Sequence, residues 1–130
     1  MSKSDEKTNL QDLKDLVVKF RNERGWEKHF TPKDVATSIS IEAGELLEHF
    51  QWANLLKDDR DEIANELADV LIFAFHFATL YDFDIATIFQ NKLAAAAKKY
   101  PTSVFNEQHE DPDYYHHIKK VYRQHKGKTT

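Results

Sequence analysis

Only six of the 130 residues are glycine or proline, well under half the roughly 12% found in average chains. A chain so short of turn formers has little material for tight hairpins or for glycine-rich loops that cradle phosphate. It is expected to fold into a few long helices joined by short connections, an all-α class. Leu, Ile, Val and Phe make up about a quarter of the residues, above the roughly 20% below which disorder is expected. A core can form, but a small one. The length suits one domain, and association with further copies would help bury its apolar surface.

Lysine and arginine number 18 against 22 aspartates and glutamates, a net charge of −4. That balance lacks the basic footprint of a nucleic-acid binder, so no nucleic-acid polymer is expected as partner. The absence of cysteine excludes disulfides, thiolate catalysis, iron–sulfur clusters and cysteine zinc sites, and fits a cytoplasmic location. The opening residues MSKSDEKTN lack the apolar core of a signal peptide. The longest apolar run, Val70 to Phe75, is far shorter than a bilayer span, so no membrane partner is expected.

Helical periodicity organises the chain. Residues 1–8 are polar and expected to be flexible. A first helix runs from about Asn9 to Arg24 on Leu10, Leu13, Leu16, Val17 and Phe20, with Gly25 placed to stop it. A second starts at Thr31-Pro32-Lys33-Asp34, with threonine as cap, proline in the first turn and an acid three residues on. It is expected to reach Trp52 or Leu56. A third spans about Arg60 to Leu80 and is apolar nearly all round after Val70, as a central or interface helix would be. A fourth runs from Ile85 to Lys99 and ends before Pro101. Residues 102–112 read as loop, and an amphipathic helix follows from about Pro112 to His125.

Two acidic pairs stand out. Glu42 and Glu45 lie three residues apart on the second helix, and Glu66 and Asp69 repeat the spacing on the third. Residues at i and i+3 are neighbours on one helix face, where like charges repel. Both pairs adjoin the apolar stripe. Antiparallel packing of the two helices would bring four carboxylates together, and such a cluster cannot stay fully ionised without a cation. Hard oxygen donors in this number select Mg²⁺, Mn²⁺ or Ca²⁺. The competing reading is a pair of solvated acidic faces. A di-iron bundle would need Glu-x-x-His on two helices, and no glutamate here has a histidine three residues later.

The wider setting resembles the MazG-like superfamily of all-α NTP pyrophosphatases. Glu42-Ala-Gly-Glu45-Leu-Leu-Glu-His-Phe-Gln51-Trp52 resembles that family's E-x-G-E-L-x-E-x-F-Q-W, and Asn65-Glu66-Leu-Ala-Asp69-Val-Leu its E-E-L-[AS]-D-V-L. Lys92 and Lys99-Tyr100-Pro101 resemble the closing K…[KR]-Y-P, and Glu23-Arg24-Gly25-Trp26 the E-R-x-W before the second helix. The likeness covers roughly residues 10 to 101, in the same order. Within the superfamily it is nearest the small dCTP pyrophosphatases and their bacterial and integron-cassette relatives.

The resemblance implies a four-helix-bundle core over residues 9–101, with 102–130 as a C-terminal loop and helix extension. It implies Mg²⁺-dependent hydrolysis of a nucleoside triphosphate to the monophosphate and pyrophosphate, with Mn²⁺ as an alternative ion. Glu42, Glu45, Glu66 and Asp69 would hold the metal, and Glu45 is favoured as general base. Lys92 would contact the phosphates. Trp26 and Trp52 would wall the base, with Phe73 one turn after Asp69. A homotetramer built as a dimer of dimers is expected. Three positions depart from the dCTP-specific pattern: Phe73 replaces a tyrosine, Val17 a histidine and Ala96 an asparagine. Loss of three polar groups should relax recognition of base or sugar. The alternatives are a non-catalytic helical oligomerisation module, or a hydrolase of dUTP or a phosphoribosyl nucleotide on the same scaffold.

Among the histidines, His76 shares a face with Asp69 and is expected to be buried or at an interface. His109, His116, His117 and His125 are expected to be a surface cluster. Gly44, between the first two acidic residues, costs a helix about 1 kcal/mol relative to alanine, and close approach by a neighbouring helix or by substrate would account for it.

Overall fold

The computed structural model describes residues 3–52, 60–103, 105 and 112–126. Five α-helices occupy them: α1 (Leu10–Asn22), α2 (Pro32–Glu48), α3 (Arg60–Leu80), α4 (Ile85–Lys99) and α5 (Pro112–Lys126), with a single 3-10 turn at Trp26–Lys28. No strand occurs among the described residues, in line with the scarcity of turn formers. The chain divides into two compact units, residues 1–86 and 87–130.

In the first unit, α1 and α2 begin on the same device. The Asn9 side chain accepts from the Asp12 N–H at 2.9 Å, and the Asp12 carboxylate accepts from the Asn9 N–H at 3.2 Å. Thr31 and Asp34 repeat this reciprocal cap at the start of α2. Each box satisfies two N–H groups that the helix cannot satisfy itself. α1 ends two residues before the expected Arg24. Gly25 then takes φ 64°, a left-handed conformation that glycine adopts without the Cβ clash other residues meet.

α2 ends at Glu48, short of the expected Trp52, while Leu56 lies outside the described residues. Phe50 N–H donates to the Leu47 carbonyl and Gln51 N–H to that of Glu48. These i to i−3 bonds tighten the exit and satisfy carbonyls left over at the helix end.

α3 packs most extensively on α2 and also meets α1. It is the apolar helix of the unit, with mean hydropathy 1.4 over eighteen residues, long and apolar enough by composition to cross a bilayer. Mean hydropathy thus makes α3 more span-like than its short uninterrupted apolar run. Glu66 and Asp69, set among its apolar residues, would be costly in hydrocarbon. The Lys14 ammonium donates to the Phe83 carbonyl at 2.8 Å, tying α1 to the turn after α3. The Tyr81 ring stacks on Phe83 with centroids 5.3 Å apart and lies tilted by 32° against Phe77 at 5.0 Å.

The core of this unit is small. Val17, Val35 and Ala78 are its buried apolar residues. Of the stripe expected on α1 only Val17 is buried, while Leu16, Phe20, Leu67 and Leu71 keep between 44% and 50% of their surface exposed. Leu13, Leu16, Val17 and Phe20 face Ala68, Leu71, Ile72 and Phe75 across an apolar groove of about 390 Å³.

In the second unit, aromatic contacts join the end of α4 to α5. The Tyr100 ring stacks on Tyr115 with centroids 5.3 Å apart and meets Phe105 edge-on at 5.4 Å. The Lys99 ammonium lies 4.0 Å from the centroid of the Tyr122 ring, a cation–π contact.

Gly44 sits in α2, and a Cβ built on it would meet nothing within 4 Å. Among the described residues no neighbouring helix presses on it, which removes that explanation for the glycine.

Candidate functional site

Three of the four expected carboxylates come together. Glu42 and Glu45 of α2 and Glu66 of α3 each offer a carboxylate oxygen, and these oxygens lie within 4.8 Å of one another. Glu42 and Glu66 are half-buried and Glu45 is exposed. Asp69, half-buried one turn further along α3, belongs to the same electrostatic group. The Glu42 carboxyl is pushed above its ordinary pKa first by burial, then by the charges of Glu45 and Asp69, a hydrogen bond with Glu45, and the charge of Glu66. A carboxyl crowded by like charges in this way favours either its proton or a nearby cation.

Contacts across the helix pair give its direction. His49 faces Glu66, Glu42 senses Asp69, and Phe30 before α2 meets His76. Numbers fall on one side as they rise on the other, so α2 and α3 run antiparallel. That arrangement, with i, i+3 spacing on each helix, is what converges the carboxylates. The donor set is oxygen only, which fits a hard divalent cation.

One neighbour of this group is not among the expected site residues. His49, the C-cap of α2, places Nε2 3.7 Å from Glu66 Oε1. Its signal was available in the spacing, since Glu42, Glu45 and His49 stand at i, i+3 and i+7 on one face.

The other expected site residues are placed less closely. Phe73 is half-buried on α3, one turn after Asp69. Trp26 meets Phe20 and Phe30 edge-on, with centroids 5.9 and 6.2 Å away. Trp52 follows α2 and is 90% exposed. Lys92 is an exposed residue of α4 in the second unit. Of the departures noted above, Val17 is buried against the apolar groove and Ala96 is half-buried on α4.

His76 is buried, with 2% of its surface exposed, and its Nε2 has no hydrogen-bond partner among the described residues. Burial, and secondarily the Arg21 guanidinium, lower its pKa from 6.5 to about 4. His116, His117 and His125 are exposed on α5, and His109 lies outside the described residues.

Residues 37–114 match the model of the MazG-like family. The chain is 31% identical to the dCTP pyrophosphatase 1 of Rattus norvegicus, over 71% of this chain and 59% of the relative. It has the same identity and coverage with dCTP pyrophosphatase 1 of Homo sapiens. The chain therefore spans about 59% of the length of these curated relatives. The crystal structure of a pyrophosphatase from Archaeoglobus fulgidus superposes with a TM-score of 0.66 at 33% identity, over 77% of this chain and 99% of that one. The span matched by the family model takes in both acidic pairs, α2 from Thr37 onward, all of α3 and Lys92, and the chain belongs to the MazG-like family.

Proposed function

We propose that the protein is a Mg²⁺-dependent nucleoside triphosphate pyrophosphohydrolase, converting a (deoxy)nucleoside triphosphate to its monophosphate and pyrophosphate. The observation that carries this reading is the convergence of Glu42, Glu45 and Glu66 from two helices, with Asp69 in the same electrostatic group. Family membership and the pyrophosphatases it resembles support it.

Glu42, Glu45, Glu66 and Asp69 hold the cation, with Mn²⁺ as substitute. When bound, the cation neutralises phosphate oxygens and makes water a better nucleophile at neutral pH. Glu45 takes the proton from the attacking water, a role supported by its exposure beside two half-buried partners. Lys92 receives phosphate charge, and Trp26, Trp52 and Phe73 offer flat faces to the base, each stack being worth roughly 1–3 kcal/mol. Phe73, Val17 and Ala96 lack polar groups with which to read cytosine, so the substrate is a dCTP-like or modified deoxynucleotide held with relaxed specificity. Such an enzyme clears surplus or non-standard nucleotides from the cytoplasm.

The working assembly is a homotetramer built as a dimer of dimers. The half-exposed apolar residues along α1 and α3 support association, because a patch of that kind is rare on a free monomer.

A pyrophosphate-release assay with Mg²⁺ across the four dNTPs, dUTP and modified cytosine nucleotides tests the reaction. Release of pyrophosphate without orthophosphate is expected. No turnover of any triphosphate, with assembly altered by alanine at Glu42 and Glu66, would favour the oligomerisation module instead.

A further inference from the structure

The face of α2 that carries Glu42 and Glu45 continues one turn further to His49, the last polar group before the chain leaves the helix. Its Nε2 stands 3.7 Å from Glu66 Oε1, with 17% of the His49 side chain and 24% of the Glu66 side chain exposed. At that separation the two groups face each other without a hydrogen bond between them. Among the described residues His49 is the one basic side chain within 4.0 Å of the Glu66 carboxylate.

We propose that His49 is a positioning residue for Glu66. The imidazole edge faces one oxygen of the Glu66 carboxylate and so favours the orientation in which Glu66 joins Glu42 and Glu45. The inference rests on the metal-dependent reading of the site. A carboxylate free to turn must be ordered when a cation arrives, whereas one held beforehand loses less freedom on binding. Removing a partner that orients a metal ligand typically weakens metal affinity by about 10- to 100-fold.

Mn²⁺ binding to the metal-free chain, measured by electron paramagnetic resonance or titration calorimetry, tests this apart from catalysis. His49→Ala should weaken Mn²⁺ binding by about tenfold or more, and saturating Mn²⁺ should restore pyrophosphate release. His49→Gln keeps an N–H of similar reach and should retain most of the affinity, whereas His49→Leu should behave like alanine. The Gln and Leu variants carry the comparison should the alanine variant fail to fold, which a circular-dichroism melt reports. Unchanged affinity in His49→Ala or His49→Leu overturns the role of His49 alone. Equal losses in the Gln and Leu variants, or activity that saturating Mn²⁺ does not restore, also overturn it. Absence of Mn²⁺ binding by the unmodified chain overturns the metal-dependent reading and this inference with it.

Discussion

The buried His76 ring meets Phe30 edge-on, with centroids 5.8 Å apart, and the buried Arg21 guanidinium acts on it electrostatically. His76 has a pKa of about 4 in the folded chain, against roughly 6.5 when unfolded. Between those values the unfolded state takes up the proton and the folded state does not, so stability falls as pH falls from about 6.5 to about 4. The loss should approach but not exceed roughly 3 kcal/mol. His76→Leu should flatten this part of the pH profile of urea unfolding. A profile as steep as the parent's would show that other groups set acid stability.

Glu42 carries the opposite sign. Its pKa is raised by burial and by three neighbouring carboxylates, so its contribution is most favourable when protonated and declines as pH rises through its folded value. At neutral pH without metal the cluster is therefore under repulsion. Glu42→Gln should raise the melting temperature in EDTA and lose most of the stabilisation that the parent gains from added Mg²⁺. A variant that melts lower in EDTA and still responds fully to Mg²⁺ would contradict the shared cluster.

Gly44→Ala should stabilise the chain by about 1 kcal/mol in chemical denaturation, because an added Cβ meets nothing within 4 Å. Activity measured on the same variant separates two reasons for the glycine. Lost turnover with gained stability points to substrate or a second copy approaching α2, and unchanged turnover leaves the glycine without a structural reason.

Gly25→Ala should cost about 1 kcal/mol or more, since φ 64° places alanine in the left-handed region. Thr31→Ala should cost about 1 kcal/mol through loss of the cap on the Asp34 N–H. Both losses should appear as lower urea midpoints with unchanged slopes. A small effect of Gly25→Ala would mean that the connection can refold around a new dihedral.

The helices were legible because their signals are local. Leu80 and Lys99 closed α3 and α4 where the sequence placed them, each followed by a residue run that breaks the apolar period. Capping at Asn9 and Thr31 depends on side chains within three residues, so it too was readable. The end of α2 was not, since Phe50 and Trp52 continue an apolar pattern while the backbone has already turned into i to i−3 bonds. His49 was overlooked for a different reason. It completes the spacing begun by Glu42 and Glu45, but its chemical meaning depends on Glu66, and nothing local pairs them.

By itself the sequence determined the all-α class, the i, i+3 acidic pairs and the hard-donor chemistry they imply. These follow from residue type and helical period, which act over a few residues. Tertiary structure decided that Glu42, Glu45 and Glu66 offer oxygens within 4.8 Å of one another, that His49 faces Glu66, and that Gly44 has open space beside it. It also decided that only Val17 of the α1 stripe is buried while Leu16 and Phe20 stay half-exposed. Each of these depends on the register and direction in which separate helices meet, and that is set by packing over the whole unit.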